Sequence, residues 1–205
     1  MKVLVFTDIH GDSLIISKLM QKVKKEKPDA MICAGDMTNF GFGLRSILKK
    51  FDSTGIPLFI IPGNHETDEE IRIYSRDMKN VRSIHLRPIL FHSLYIIGCG
   101  GGGFTAQHAE FEMSEKKFAD AMKKMKLQDH KYRTLIVTHQ PPYKTELDLI
   151  FGEHVGSTSI RKFIREHQPD FCITGHIHEN EGKQDHIGKT LVLNPGPLGK
   201  IMDIN

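Results

Sequence analysis

The stretch Lys2-Val3-Leu4-Val5-Phe6-Thr7-Asp8-Ile9-His10-Gly11-Asp12 decides the architecture. Val3–Phe6 is an unbroken apolar run, so Lys2–Phe6 reads as a strand buried on both faces, not one with a wet side. A polar turn follows at once. Beyond Asp12 or Ser13, either of which suits an N-cap, the apolar spacing becomes helical at Ile16, Leu19, Met20 and Val23. A buried strand, a polar exit and an amphipathic helix in that order form the repeating unit of an α/β layer.

Working outward, the unit recurs. Ala30–Ala34, Leu58–Ile61, Tyr95–Ile97, Thr134–Val137 and Phe171–Ile173 are further candidate buried strands. Helical stripes run through Phe118, Ala121, Met122 and Met125 and through Ile160, Phe163, Ile164 and His167, with Ser114 and Ser157 placed as N-caps. Val81–Gly98 and the tail from Gly182 have strand character without a long helix, which predicts antiparallel strands added to the sheet, and hence mixed pairing. No repeat, low-complexity tract or linker interrupts the chain, so residues 1–205 are expected to form a single domain.

Composition narrows the function. With 39% hydrophobic and 26% charged residues the chain is expected to bury a core unaided by staples. No apolar run approaches the ~18–20 residues of a bilayer span, and the apolar start is too short for a secretory signal, so the expectation is a cytoplasmic protein without a membrane partner. A net charge of +3 is only a weak pull on anions. The basic runs Lys22-Val23-Lys24-Lys25 and Lys123-Lys124-Met125-Lys126 fall on outer helix faces without interleaved aromatics, which argues against nucleic acid as a partner. Cys33, Cys99 and Cys172 are odd in number and lack a C-x-x-C pair, excluding a disulfide scaffold and a thiolate zinc site. Gly188-Lys189-Thr190 fails as a P-loop because Lys183 stands where the motif needs glycine.

The chemistry gathers at the strand exits. Asp8-Ile9-His10-Gly11-Asp12, Gly35-Asp36, Pro62-Gly63-Asn64-His65-Glu66, His139-Gln140-Pro141-Pro142 and Gly175-His176-Ile177-His178 each follow a candidate strand. In α/β sheets the carboxyl ends of parallel strands are where ligands bind, so the five turns should converge on one crevice. Asp8 with His10, and His176 with His178, sit two apart and, in an extended turn, would point to one side. The donors are nitrogen and oxygen without sulfur, a set suited to divalent Mn, Fe, Ni or Zn. Any one such residue would pass as a turn former, and Gly35 and Gly175 as tight-turn glycines; five in series do not reduce to that. His85, His92, His108, His130, His167 and His186 lack such company and read as surface or packing residues. Gly100–Gly103 reads as a flexible turn. His154 precedes the helix start at Ser157, where an N-terminus can receive phosphate, and is a candidate substrate contact beside the simpler reading of Ser157 as a cap.

Asp8-x-His10, Gly35-Asp36, Gly63-Asn64-His65-Glu66, His139 and Gly175-His176-x-His178 together resemble the signature of the calcineurin-like metallophosphoesterase superfamily, over nearly the whole chain. The length and the Asn194-Pro195-Gly196-Pro197 tail are similar to its small archaeal and bacterial members that lack a cap domain. The resemblance implies a four-layer α/β sandwich of two mixed β-sheets flanked by helices, with two divalent transition metals per chain, Mn first and Fe, Ni or Zn as alternatives. It assigns Asp8, His10, Asp36 and His178 to one metal and Asp36, Asn64, His139 and His176 to the other, with Asp36 bridging. Two cations ~3.5–4 Å apart would acidify a bridging water and clamp phosphoryl oxygens, so the implied reaction is in-line attack by a bridging hydroxide on a small phosphate ester, a diester before a monoester. Asn64 and His65 would meet the substrate. His65 would hydrogen-bond a phosphoryl oxygen or protonate the leaving oxygen, its ring oriented by Glu66 or another carboxylate. The rival readings are a metal-dependent nuclease and a non-catalytic, metal-bound scaffold for protein partners; the gap-free ligand set and His65 oppose the scaffold.

Overall fold

A computed structural model describes residues 1–103, 106–127 and 132–204, with the side chains of 125–127 excepted. His130 and the side chains of Met125 and Lys126 therefore lie outside the described residues. The order is β1 (Lys2–Phe6), α1 (Ser13–Glu26), β2 (Ala30–Cys33), α2 (Leu44–Asp52), β3 (Leu58–Ile60), α3 (Asp68–Ser75), β4 (Val81–Ser83), β5 (Ile89–Phe91), β6 (Leu94–Cys99), α4 (Ala109–Leu127) and β7 (Arg133–Thr138). There follow β8 (Leu149–Ile150), β9 (Glu153–His154), α5 (Thr158–His167), β10 (Phe171–Ile173), a 3-10 turn (His178–Asn180), β11 (Gln184–Ile187), β12 (Thr190–Leu193) and β13 (Lys200–Asp203).

Two sheets result, ordered β13-β1-β2-β3-β4 and β11-β12-β10-β7-β6-β5, with β8 and β9 forming a separate ribbon. Their mixed character is as expected: β1–β4 and the run β12-β10-β7-β6 pair in parallel, while β5, β11 and β13 add antiparallel edges. Two strands depart from the antiparallel expectation: β4 pairs in parallel with β3, because α3 returns the chain to the same end of the sheet, and β12 in the tail pairs in parallel with β10, because the β11–β12 hairpin reverses the chain.

Alternation along each strand builds the layers. Val3, Val5, Ile32, Phe59 and Ile61 face Ile96, Leu135, Val137, Ile173 and Leu193 between the sheets. Leu4, Phe6, Met31 and Ile60 turn the other way onto Leu19, Leu48, Phe51 and Ile71 of α1–α3. Tyr95, Ile97, Ile136 and Cys172 meet Phe118, Phe163 and Ile164 of α4 and α5. Each large apolar side chain buried in this way contributes about 1.5–3 kcal/mol. The result is the expected helix–sheet–sheet–helix sandwich.

The capping expectations divide. Asp12 caps α1, accepting from the N–H groups of Leu14 and Ile15, and Ser157 caps α5, accepting from Ile160. Ser114 does not cap α4, which begins at Ala109 and places it in the second turn. There His108 Nδ1 accepts from the Phe111 N–H (3.4 Å). The helix starts early because Phe111, fully buried against Phe118 and Phe163, has to be on it. The short helices α2 and α3 carry no expectation from the spacing, although Thr67 and Glu70 form a reciprocal capping box at the start of α3.

Asp170, just before β10, ties β7 to β10. It accepts from Thr134 N (2.7 Å), Thr134 Oγ1 (2.8 Å) and Arg133 Nη1 (2.9 Å). Burial alone would raise its pKa, but these donors prevail and hold it below the usual 3.8. A carboxyl depressed on folding stabilises the fold above its unfolded pKa, and that contribution is lost as pH falls through the folded value. Asp170→Asn should therefore lower stability by about 1–2 kcal/mol at neutral pH. Urea melts should show this deficit shrinking as pH falls from 3.8, the ordinary value at which the unfolded carboxyl protonates, through the lower value of the folded one.

Candidate metal centre

All five polar turns meet at the carboxyl ends of the parallel strands, stitched together by backbone hydrogen bonds. Asp8 N–H donates to Gly35 O, His10 N–H to Asp36 O and Gly175 N–H to His139 O, each at 3.0 Å. Close approach at these turns leaves no room for a side chain at Gly63 or Gly175. A Cβ at Gly63 would stand 1.9 Å from Asp36 Oδ1, and one at Gly175 2.4 Å from Asp8 Oδ2. These two glycines, with Gly35 packed against Gly63, are thus structural requirements of the site and not merely turn formers.

The turns are not extended. Asp8 (φ 54), His10 (φ 49), Asp36 (φ 50) and His176 (φ 72) all lie in the left-handed region, which costs a residue with a side chain about 1–2 kcal/mol. Strain of this kind persists only where the surroundings enforce it, and it gathers at functional sites.

Side chains that the sequence singled out come together here. Asp36 Oδ2 stands 3.3 Å from His139 Nε2, 3.8 Å from His10 Nε2 and 3.9 Å from His65 Nε2. His10 Nε2 and His178 Nε2 face each other at 3.1 Å, with Asp8 Oδ1 3.6 Å from the latter. Asn64 Oδ1 lies 3.1 Å from His139 Nε2 and 2.9 Å from His176 Nδ1. Asp8, His10 and His178 can offer ligand atoms to one point, as can Asp8, Asp36 and His139, or His10, Asp36 and His65.

Outer contacts fix which atoms face inward. His139 Nδ1 donates to the Ala34 carbonyl (2.8 Å), so Nε2 is the ring atom turned toward Asp36 and Asn64. His10 Nδ1 does the same against Asn39 Oδ1 (2.9 Å). Asp8 accepts from His176 N–H at 3.1 Å, and Asp36 Oδ1 from His65 N–H at 3.0 Å. Asn39 carries no sequence signal, since it meets His10 only through the fold.

The electrostatics favour cations. Burial would raise Asp36, yet hydrogen bonding to His139 and that ring's charge overcome it and hold the carboxyl at about 2. Burial opposes a proton on His139, but Asp36 and Asp8 push its pKa up to about 9. His176 goes the other way, to about 4, through burial and the neighbouring His139, so it stays neutral and able to donate a lone pair. Two buried carboxylates, converging imidazole nitrogens and a neutral amide oxygen thus fit hard or borderline divalent cations, and a carboxylate between two cations offsets their repulsion.

Glu66 does not orient His65. It is buried, accepting from Met37 N–H (2.9 Å), Thr38 N–H (3.4 Å) and Thr38 Oγ1 (3.2 Å), and burial raises its pKa to about 7. Its task is to clamp the loop that carries Asn39 and Phe40. Phe40 is what holds His65: its N–H donates to Nδ1 (3.4 Å) and its ring lies 4.5 Å from the imidazole. His154 stands apart from the cluster, its Nδ1 paired with the buried Asp148 at 2.7 Å in the ribbon of β8 and β9. That pairing ties its ring to its own loop. Ser157 proves to be the plain cap.

An α/β/β/α sandwich with a two-cation donor set at the carboxyl edge of both sheets defines the class of protein. Residues 1–180 match the family model described as calcineurin-like phosphoesterase, and the chain belongs to that family. It is 32% identical over 209 residues to the uncharacterized protein MJ1162 of Methanocaldococcus jannaschii, spanning 96% of this chain and 88% of that one. Among solved structures it is similar in fold to TT1561 of Thermus thermophilus (TM-score 0.73, 17% identity, 96% of this chain and 89% of that one). It is likewise similar to a dimetal phosphatase from Danio rerio (TM-score 0.63, 11% identity, 94% and 86%). Among the described residues, no helix is long and apolar enough to cross a membrane.

Proposed function

We propose that residues 1–205 act as one metallophosphoesterase domain, cytoplasmic, that hydrolyses small phosphate esters, diesters in preference to monoesters, with two divalent transition metals, Mn foremost. The observation that carries this reading is the convergence of Asp8, His10, Asp36, Asn64, His139, His176 and His178 with every outer nitrogen of His10 and His139 already committed. Asp8, His10, Asp36 and His178 would hold one cation and Asp36, Asn64, His139 and His176 the other. When bound, the pair supplies Lewis acidity and an activated water. The protein's own part is placement: Asn64 and His65 share one tight turn, so the ring reaches the phosphoryl group that the neighbouring ligand helps to seat.

The diester preference is supported by charge. Among the described residues, the pocket beside Asn64 and His65 is walled by Glu66, Asp68, Glu70 and Glu110 and by no lysine or arginine. A singly charged diester tolerates such walls better than a monoester dianion, and a nucleic-acid backbone tolerates them worse still. The test is metal-stripped protein assayed with matched phosphomono- and diesters across Mn, Fe, Ni and Zn, with metal content read by elemental analysis. Two equivalents bound and turnover only with metal are expected. One equivalent at saturation, or full turnover in strong chelator, would sink the dimetal reading.

A further inference from the structure

The pocket beside the centre, about 360 Å³, runs from Asn64 and His65 past Gly101 and Gly102 to His85 and Glu110. Its far wall is pinned to the same turn as the site. Gly101 N–H donates to Pro62 O (2.9 Å), and a Cβ on Gly100 would stand 2.1 Å from that oxygen. The Gly100–Gly103 segment is therefore part of the pocket, not a loose connection.

His85 is the unexpected member. Its side chain is 9% exposed, and Nδ1 accepts the Gly100 N–H at 3.0 Å, so the ring proton sits on Nε2. Burial also holds its pKa below the usual histidine value, keeping the ring neutral. Nε2 faces Glu110 Oε2 at 3.6 Å, too far for a good hydrogen bond, and finds no other partner among the described residues. Glu70 bonds back to Thr67, and Asp68 bonds Ser83 and Arg87, which leaves Glu110 as the carboxylate that His85 addresses.

We propose that His85 and Glu110 form a subsite for a hydroxyl of the substrate's alcohol, making polyol phosphodiesters the preferred substrates; this rests on the phosphoesterase reading above. A donor N–H and an acceptor carboxylate 3.6 Å apart can share one hydroxyl oxygen, which accepts from Nε2 and donates to Oε2. An ammonium group would satisfy the carboxylate but oppose the N–H. An anionic group would meet the acidic walls, and an alkyl chain would leave the buried Nε2–H of His85 unbonded.

Symmetric diesters test this without regard to which end enters the pocket. Mn-loaded protein is given bis(2,3-dihydroxypropyl), dipropyl and bis(2-aminoethyl) phosphate, with turnover followed by phosphorus NMR. The glyceryl diester should be favoured over the propyl diester in kcat/KM by roughly tenfold, mostly through KM, and Glu110→Ala should abolish that ratio. In a second, binding-only readout, glycerol but not 1-propanol should shift the His85 Nε2–H resonance of wild-type protein, and Glu110→Ala should lose the shift. Equal use of the glyceryl and propyl diesters, preference for the aminoethyl diester, or an unchanged ratio in Glu110→Ala would overturn the subsite. If no diester were hydrolysed, the diester reading would fail instead, and the His85 resonance would decide the subsite alone.

Discussion

Asp36→Asn is expected to lower metal-dependent turnover by roughly 10³-fold or more, the several kcal/mol that Lewis-acid stabilisation supplies. Among the described residues, Asp36 is the one carboxylate within 4 Å of His10, His65 and His139 together, so both halves of the donor set depend on it. The amide preserves shape and one oxygen but removes the charge that would lie between two dications. Metal content should fall at both positions. By contrast His178→Ala and Asn64→Ala should each weaken one position and recover partly in excess metal. Titration of all three variants with Mn, read by calorimetry and by anomalous scattering, checks the assignment. If Asp36→Asn held two ions and worked at low Mn while Asn64→Ala did not, Asp36 would not be the bridge.

The parts of this architecture that the sequence discloses are those set by local physics. β1, β2, β3, β6 and β7 are legible because a strand covered on both faces has no polar position to blur its run. The donor turns are legible because parallel strands release their polar residues at one edge, so order along the chain becomes proximity in space. What stays hidden depends on distance in sequence. Asn39 looks like any loop residue until Asp36 and His10 are brought together, and Glu66 looks like a partner for its neighbour His65 until the fold brings the Met37 and Thr38 N–H groups to it. His85 has no donor residue beside it in the chain; its significance comes from Gly100, Glu110 and Asn64, each supplied by a different connection. Ser114 misleads for the opposite reason: a good capping residue lies inside a helix whose start is dictated by the burial of Phe111.

His65 carries the remaining large effect. Its backbone N–H is held by Asp36 Oδ1 and its Nδ1 receives the Phe40 N–H, so the ring is aimed through Nε2 toward the cluster. With Nδ1 accepting that N–H, Nε2 is the ring atom left to offer a hydrogen bond. The geometry therefore favours stabilisation of phosphoryl charge over protonation of the leaving oxygen, two roles equally compatible with the motif. His65→Ala should keep both metals and lose roughly 10²–10³-fold in kcat, the range for deleting one donor to a developing oxyanion. The loss should be alike for nitrophenyl and alkyl leaving groups, because the interaction is with the oxygens that stay on phosphorus. A loss that shrank for nitrophenyl esters would restore the acid role, since an easily expelled phenolate needs little protonation. Loss of a metal from the variant would instead make His65 a ligand, as its 3.9 Å approach to Asp36 Oδ2 permits. Elemental analysis beside the two-substrate rate comparison separates the three outcomes.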